Sequence, residues 1–207
     1  MELLFKGVKE FSRNEYEIYK KLFHSLKHTQ SPHTLFIGCS DSRVVPGLIT
    51  RSLPGDLFVI RNIANIVPPY RKSNEFLATT SAIEYAVKIL NIENIVICGH
   101  SNCGGCRALF ASEKELKKIP HTKKWLELAQ PVKDKVQTIR AKYKGKDTAW
   151  IVEQENIVEQ MNHLTTYPYI VERYQNKELN ILGWYYEIDS GTVYNYSTTI
   201  RRFEKII

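Results

Sequence analysis

The period of the apolar positions changes several times along the chain, and each change marks an element. Over residues 10–27, Phe11, Ile18, Leu22, Phe23 and Leu26 stand among charges, a spacing that predicts an amphipathic helix. Pro32 closes that region. Leu35-Phe36-Ile37, Leu57-Phe58-Val59-Ile60 and Ile95-Val96-Ile97 are short, unbroken apolar runs bounded by turn residues. Such runs predict strands buried on both faces, as in a parallel sheet. Between the second and third, residues 74–90 carry Phe76, Leu77, Ile83, Ala86, Val87 and Leu90 at helical spacing. That helix supplies the crossover which parallel strands need.

Beyond Cys103 the pattern is helical through Leu164, with breaks expected near Pro120, Gly145 and Pro168. Residues 179–189 and 192–196, on either side of Ser190-Gly191, predict a hairpin. The fold class is α/β, a parallel-core β-sheet flanked by helices, with an N-terminal helical arm and a C-terminal hairpin. With 207 residues, 43% of them hydrophobic, the chain can bury one ordinary core. One domain over 1–207 is expected, with 1–31 as the arm and 32–207 as the α/β core. No repeat or low-complexity tract suggests a solenoid.

Charge narrows the partners. The formal net charge of +7 raises nucleic acid as a partner. However, the lysines over 113–146 are mixed with acidic residues, as on a solvated helical face, and no aromatic-basic alternation offers base stacking. No nucleic-acid partner is expected. No apolar run reaches bilayer length, so no membrane association is expected either. Glu2, Lys6, Lys9 and Glu10 interrupt any N-terminal apolar stretch of the secretory kind. Four cysteines in a chain of this size do not make a disulfide framework, and a reducing, cytoplasmic location is expected. Cys98 reads as buried and Cys106 as a spare thiol.

Two segments carry the candidate chemistry: Cys39-Ser40-Asp41-Ser42-Arg43 and His100-Ser101-Asn102-Cys103, each just after one of the apolar runs. Thiolate and imidazole suit Zn²⁺, and two Cys plus one His leave a fourth tetrahedral position open for chemistry. Asp41 is the only carboxylate in either segment, and Arg43 is its natural partner. Taken singly, each residue has an ordinary reading, because buried cysteines and strand-end histidines are usually structural. Cys103-Gly104-Gly105-Cys106 also reads as a redox C-x-x-C pair, but that leaves Cys39, Asp41 and His100 unexplained. A phosphate-cradling loop at Gly99, Gly104 and Gly105 lacks either glycine-rich signature.

At these residues the chain resembles the β-class carbonic anhydrases, whose signature is C-x-D-x-R followed by a distant H-x-x-C. Here 61 positions separate Cys39 from His100. The resemblance runs on through Arg61-Asn62-Ile63-Ala64-Asn65, Pro68-Pro69, residues 82–87 and the glycines after Cys103, and reaches Gly183-Trp184-Tyr185-Tyr186. It implies one Zn²⁺ per chain on Cys39, His100 and Cys103, with Asp41 and Arg43 as catalytic dyad. The implied reaction is the reversible hydration of carbon dioxide to bicarbonate and a proton, by attack of zinc-bound hydroxide. Two thiolates make the metal a weaker Lewis acid than a three-His zinc, so an outside group must help. Asp41 could orient the nucleophile or swing in as fourth ligand, and the residues do not choose.

The resemblance further implies that Phe58, Ile63 and Tyr85 line the substrate pocket and that the N–H of Gly104 holds the oxyanion. Gln30 would supply an amide from a neighbouring subunit, which implies a homodimer or a homotetramer built from dimers. A subgroup of the family binds regulatory bicarbonate through a Trp, an Arg and a Tyr. Arg61 and Tyr186 match, but Phe36 replaces the Trp and lacks its N–H, so that regulation is not expected. Two other functions stay open on the same ligands: hydrolysis of a CO₂-like heterocumulene such as CS₂ or COS, and non-catalytic zinc binding.

Overall fold

The computed structural model describes residues 1–72, 75, 77–140 and 149–206. Helix α1 (Glu2–Glu10) runs through a π-helical turn at Phe11–Glu15 into α2 (Tyr16–Leu26). Helix thus starts at Glu2 rather than at residue 10, because Leu3, Leu4 and Val8 extend the apolar stripe N-terminally. All three are exposed. The π turn lets three rings cluster, with Tyr16 stacked on Phe23 at 5.6 Å and Phe11 6.4 Å from each.

The sheet begins with β1 (Thr34–Cys39), then α3 (Pro46–Thr50), β2 (Leu57–Asn62), α4 (Ala78–Lys88) and β3 (Asn94–His100). A helical lobe follows: α5 (Gly104–Ala108), α6 (Glu113–Leu116), α7 (Pro120–Leu126) and α8 (Gln130–Arg140). The long α9 (Ala149–Leu164) and α10 (Pro168–Gln175) lead into β4 (Asn180–Glu187), β5 (Thr192–Ser197) and β6 (Arg202–Lys205). Strand order is β2-β1-β3-β4-β5-β6. The first four strands are parallel and the last two antiparallel.

Pro120 and Pro168 are breaks of one kind, since each opens a helix where its missing N–H costs nothing. Gly145, Asn74 and Phe76 lie outside the described residues. The helix expected over 74–90 is α4, and Asn91, at φ 51°, turns the chain after it. The hairpin forms, but its first strand also pairs in parallel with β3 and so extends the main sheet. β6 goes beyond the expectation, because a four-residue strand with a single buried-side Phe203 gives too short an alternation to read.

One core cluster joins Leu35, Ile37, Ile95 and Ile97 of the sheet to Ile83 and Val87 of α4, Ile157 and Leu164 of α9, and Ile170 of α10. A second gathers Cys39, Ala64, Ile66, Cys103, Cys106, Leu126, Val132 and Val152 at the carboxyl end of the strands. Helix α9 ties the two together. Its buried polar residues Glu153, Asn156, Gln160 and His163 repeat at steps that place them on one face.

That face satisfies the backbone of the buried turn after β2. Asn156 donates to Ala64 O at 2.9 Å, and Gln160 accepts from Val67 N at 2.9 Å. His163 Nδ1 donates to Val67 O at 2.7 Å. The turn holds Ala64 at φ 60° and Asn65 at φ 46°. Asn62 clamps it by exchanging two 2.8 Å hydrogen bonds with the backbone of Ile66.

Helix α9 lies unusually close to the sheet. A Cβ at Gly99 would come within 2.7 Å of Ile157, and one at Gly183 within 2.5 Å of Met161 Sδ. Gly99→Ala should therefore lower unfolding stability by about 1–3 kcal/mol through overpacking. Urea denaturation checks this, and an unchanged midpoint would mean that α9 does not need this approach.

Candidate metal centre

Strands β1 and β3 are neighbours in parallel register, with Gly38 opposite Cys98. Cys39 and His100 end their strands, so they emerge at the same edge of the sheet, where open α/β sheets place their ligands. Asn102, at φ 56°, turns the chain back, and Cys103 follows as the N-cap residue of α5. The ligand atoms of Cys39, His100 and Cys103 lie within 4.8 Å of one another, and all three residues are buried.

Two details test whether this group suits a metal ion. Two zinc–sulfur bonds of about 2.3 Å at a tetrahedral angle hold their sulfurs about 3.8 Å apart, and the two Sγ atoms stand 3.9 Å apart. His100 Nδ1 donates to Ser101 O at 2.9 Å, because a carbonyl only accepts. The lone pair is thereby left on Nε2, which is buried with no hydrogen-bond partner. A buried acceptor with no partner is costly, and a cation between the two thiols would satisfy it. The residues fit a soft divalent ion.

Without an ion the thiols are weak acids. Hydrogen bonding to Cys103, then burial, pushes Cys39 up to about 12. Contact with Cys106 and burial push Cys103 up to about 12, against an opposing effect of Cys39. Burial does the same for Cys98.

Asp41 stands beside the group but outside it. Arg43 Nε donates to its Oδ1 at 2.9 Å, Nη2 to its Oδ2 at 2.8 Å, and the Arg43 backbone N–H to Oδ1 at 3.0 Å. Arg43 Nη2 also donates to Asn102 O at 3.2 Å, which links the two motifs. The guanidinium holds the Asp41 carboxyl well below the usual carboxylate range, so it is ionised throughout the neutral region. Oδ2 lies 3.9 Å from His100 Nε2. Arg61, from β2, pins the backbone between the motif residues by donating to Cys39 O at 2.9 Å and to Asp41 O.

A model of the carbonic anhydrase family matches residues 34–193. A carbonic anhydrase of Helicobacter pylori is 42% identical over 206 residues, covering 98% of this chain and 93% of that protein. The solved β-carbonic anhydrase CcaA superposes with a TM-score of 0.94 at 38% identity, covering 100% of this chain and 92% of that one. The chain belongs to the β-carbonic anhydrase family. Its enzymes are lyases. One of two tetrameric β-carbonic anhydrases from Sordaria macrospora also superposes, with a TM-score of 0.78 at 28% identity, over 99% of this chain and 95% of that one.

Within this family member, one edge of the sheet gathers Cys39, Asp41, Arg43, His100, Cys103 and the exposed first residue of α5, Gly104. Ile63 is there too, lining a cavity of ≈ 540 Å³ with Ser40, Arg61, Asn62 and Trp125. Phe58 is not. It pairs with Leu35, four residues before Cys39, about 13 Å down the strand at 3.3 Å per residue. Its ring packs instead on that of Tyr85 at 6.0 Å, and Tyr85 is 45% exposed. Gln30 is exposed on the segment that leads into the amino end of β1. Phe36 packs edge-on against Trp184 at 6.3 Å.

Arg61 and Glu153 are the site residues whose contacts the motifs do not announce. A signal for Glu153 exists in the polar positions 153, 156, 160 and 163, which share one helical face amid apolar neighbours. Because both thiols are neutral before metal uptake, binding must displace their protons. Titrating the metal-free protein with Zn²⁺ at pH 7 in weak buffer should release about two protons per ion, read with a pH indicator. Release of fewer than one would show that the thiolates are not the ligands.

Proposed function

We propose that the chain catalyses the reversible hydration of carbon dioxide, with one Zn²⁺ on Cys39, His100 and Cys103 and with Asp41 and Arg43 as a working pair. The observation that carries this reading is the partnerless His100 Nε2 facing two thiols 3.9 Å apart, with a clamped carboxylate just outside. Bound there, zinc supplies a Lewis acid that makes water nucleophilic near neutral pH. A purely structural metal site has no use for a carboxylate held back by arginine, which disfavours the non-catalytic alternative.

Arg43 fixes Asp41 with both oxygens engaged, so the carboxylate stays ionised and on the open side of the group. From there Oδ2 accepts a hydrogen bond from the attacking oxygen and aims its lone pair at carbon. The N–H groups that open α5, including that of Gly104, have no partner within the helix and face developing negative charge on the substrate. Ile63 gives that side an apolar wall. The mildly basic chain also favours approach of bicarbonate.

Phe58, Tyr85 and Gln30 complete a pocket in this reading only from a second copy, since in one chain they lie away from the strand ends. The exposed apolar residues of α1 and its continuation, Leu3, Leu4, Phe5, Val8 and Phe11, support assembly as a homodimer or homotetramer. The arm (1–31) and the core (32–207) then act as one unit. The four cysteines are free thiols, which supports a reducing, cytoplasmic setting. No described helix is long and apolar enough to cross a membrane.

One purified sample tests the reading. About one zinc per chain, CO₂ hydration in a direct pH-change assay, and a mass by light scattering at a multiple of 24.1 kDa are expected. Zinc with turnover of CS₂ or COS but not CO₂ would favour the heterocumulene hydrolase, and stoichiometric zinc in the Cys39→Ser, Cys103→Ser double variant would refute the ligand set.

The pair has its own test. Asp41→Asn should keep zinc and lose a factor on the order of 10² or more in rate, because the aimed acceptor is gone. Arg43→Ala should leave Asp41 free to turn into the open side. The double variant should lose clearly less than the product of the two single losses. Multiplicative losses across pH 6 to 9 would mean that the residues act separately.

A further inference from the structure

Glu153, on α9, is a buried carboxyl that the proposed chemistry does not use. Its Oε1 accepts the backbone N–H of Cys103 at 2.9 Å, and its Oε2 accepts the Tyr185 hydroxyl at 2.9 Å. Cys103 is the N-cap of α5, so its N–H finds no partner inside the helix. We propose that Glu153 is a positioning residue for the metal centre, holding the peptide before Cys103 with one oxygen while Tyr185 anchors the other. This rests on the assignment of Cys103 as a metal ligand.

The geometry gives the reason. Asn102 is left-handed at φ 56°, and the direction of the Cys103 side chain depends on how the peptide between the two residues is turned. A hydrogen bond to that peptide's N–H fixes the turn. Outer partners of this kind act by orienting ligands and commonly matter 10- to 100-fold for metal affinity. A carboxyl only 3% exposed is an expensive way to satisfy one N–H, so the grip serves more than local hydrogen-bond saturation.

The anchor is rigid. Tyr185 lies on β4, and its ring stands 6.3 Å from those of Tyr194 and Phe203. Burial, then the nearby Glu153, pushes its phenol above the ordinary range, so it remains a donor at working pH. The 2.7 Å clearance between Ile157 and a Cβ at Gly99 sets the height of α9, one turn from Glu153. The Cys103 peptide is thereby referenced to the sheet by a second route, through Tyr185 on β4 and the seat of α9, besides its direct chain connection to β3.

The test compares Glu153→Gln, Glu153→Ala and Tyr185→Phe with the parent chain. Zinc affinity is measured by chelator competition, and the sulfur-to-metal absorption band of the Co²⁺-loaded protein is recorded. The Ala variant should bind zinc at least tenfold more weakly, with a shifted band. The Gln variant should recover to within threefold, because an amide oxygen still accepts from Cys103. Tyr185→Phe keeps the ring and loses only the anchor, and should fall between them with a measurable band shift.

Should the Ala chain fail to fold, Tyr185→Phe decides. Affinity within twofold of the parent together with an unshifted band in that variant would overturn the proposal, as would equal losses for Gln and Ala. A parent chain that takes up no zinc would overturn the metal assignment as well, a result distinct from either of these.

Discussion

The side-by-side pairing of β1 and β3 is the constraint on which the rest depends. Two segments 61 residues apart become neighbours because β1 and β3, though separated in the chain by β2, hydrogen-bond in parallel register at the centre of the sheet, and both motifs begin at the last residue of a strand. The entropy of closing that loop is offset by the sheet and its apolar layers. The strand pairing brings the ligand atoms of Cys39 and His100 to one edge of the sheet, within 4.8 Å of each other and of that of Cys103. What a metal must supply is compensation for burying two thiols and an imidazole.

Burial of polar groups then dictates the role of α9. The turn after β2 passes under the helical lobe with left-handed residues at Ala64 and Asn65, and apart from a single 3-10 turn at Ile63–Asn65 it lies outside the hydrogen bonding of sheet and helices. Its N–H and C=O groups would be orphaned without side chains to meet them. Asn156, Gln160 and His163 meet them, and Glu153 continues the row to Cys103. The helix that closes the hydrophobic core is thus also the one that saturates the backbone around the site.

Much of this was legible in the residues. Unbroken runs mark parallel strands, and C-x-D-x-R with H-x-x-C marks the strand-end chemistry. Central Ile95-Val96-Ile97 is buried as expected. Leu57-Phe58-Val59-Ile60 instead lies at the sheet edge, only partly covered and with Val59 exposed, because among the described residues no strand pairs on its outer side. What escaped depends on contacts distant in sequence. The β6 edge has too few apolar positions to show a period. The role of Arg61 follows from a carbonyl two strands' worth of chain away, and that of Glu153 from a peptide fifty residues upstream. Phe58 illustrates the opposite limit: its resemblance to a pocket residue was plain, yet register with Leu35 puts it far down the strand in its own chain. Motif resemblance does not show how far along a strand a side chain stands from the motif residues.

Gly99 and Gly183 carry a consequence larger than their size. At both, helix and sheet meet with no spacer, backbone against Ile157 and Met161. Two missing side chains behind the centre therefore act as a depth stop. A methyl at Gly99 would have to displace the Ile157 side chain, one turn along α9 from Glu153, and one at Gly183 would have to turn the Met161 thioether aside. Fine alignment at the candidate centre is in this sense set partly by what the strands leave out, and at Gly99 the omission falls one residue before His100.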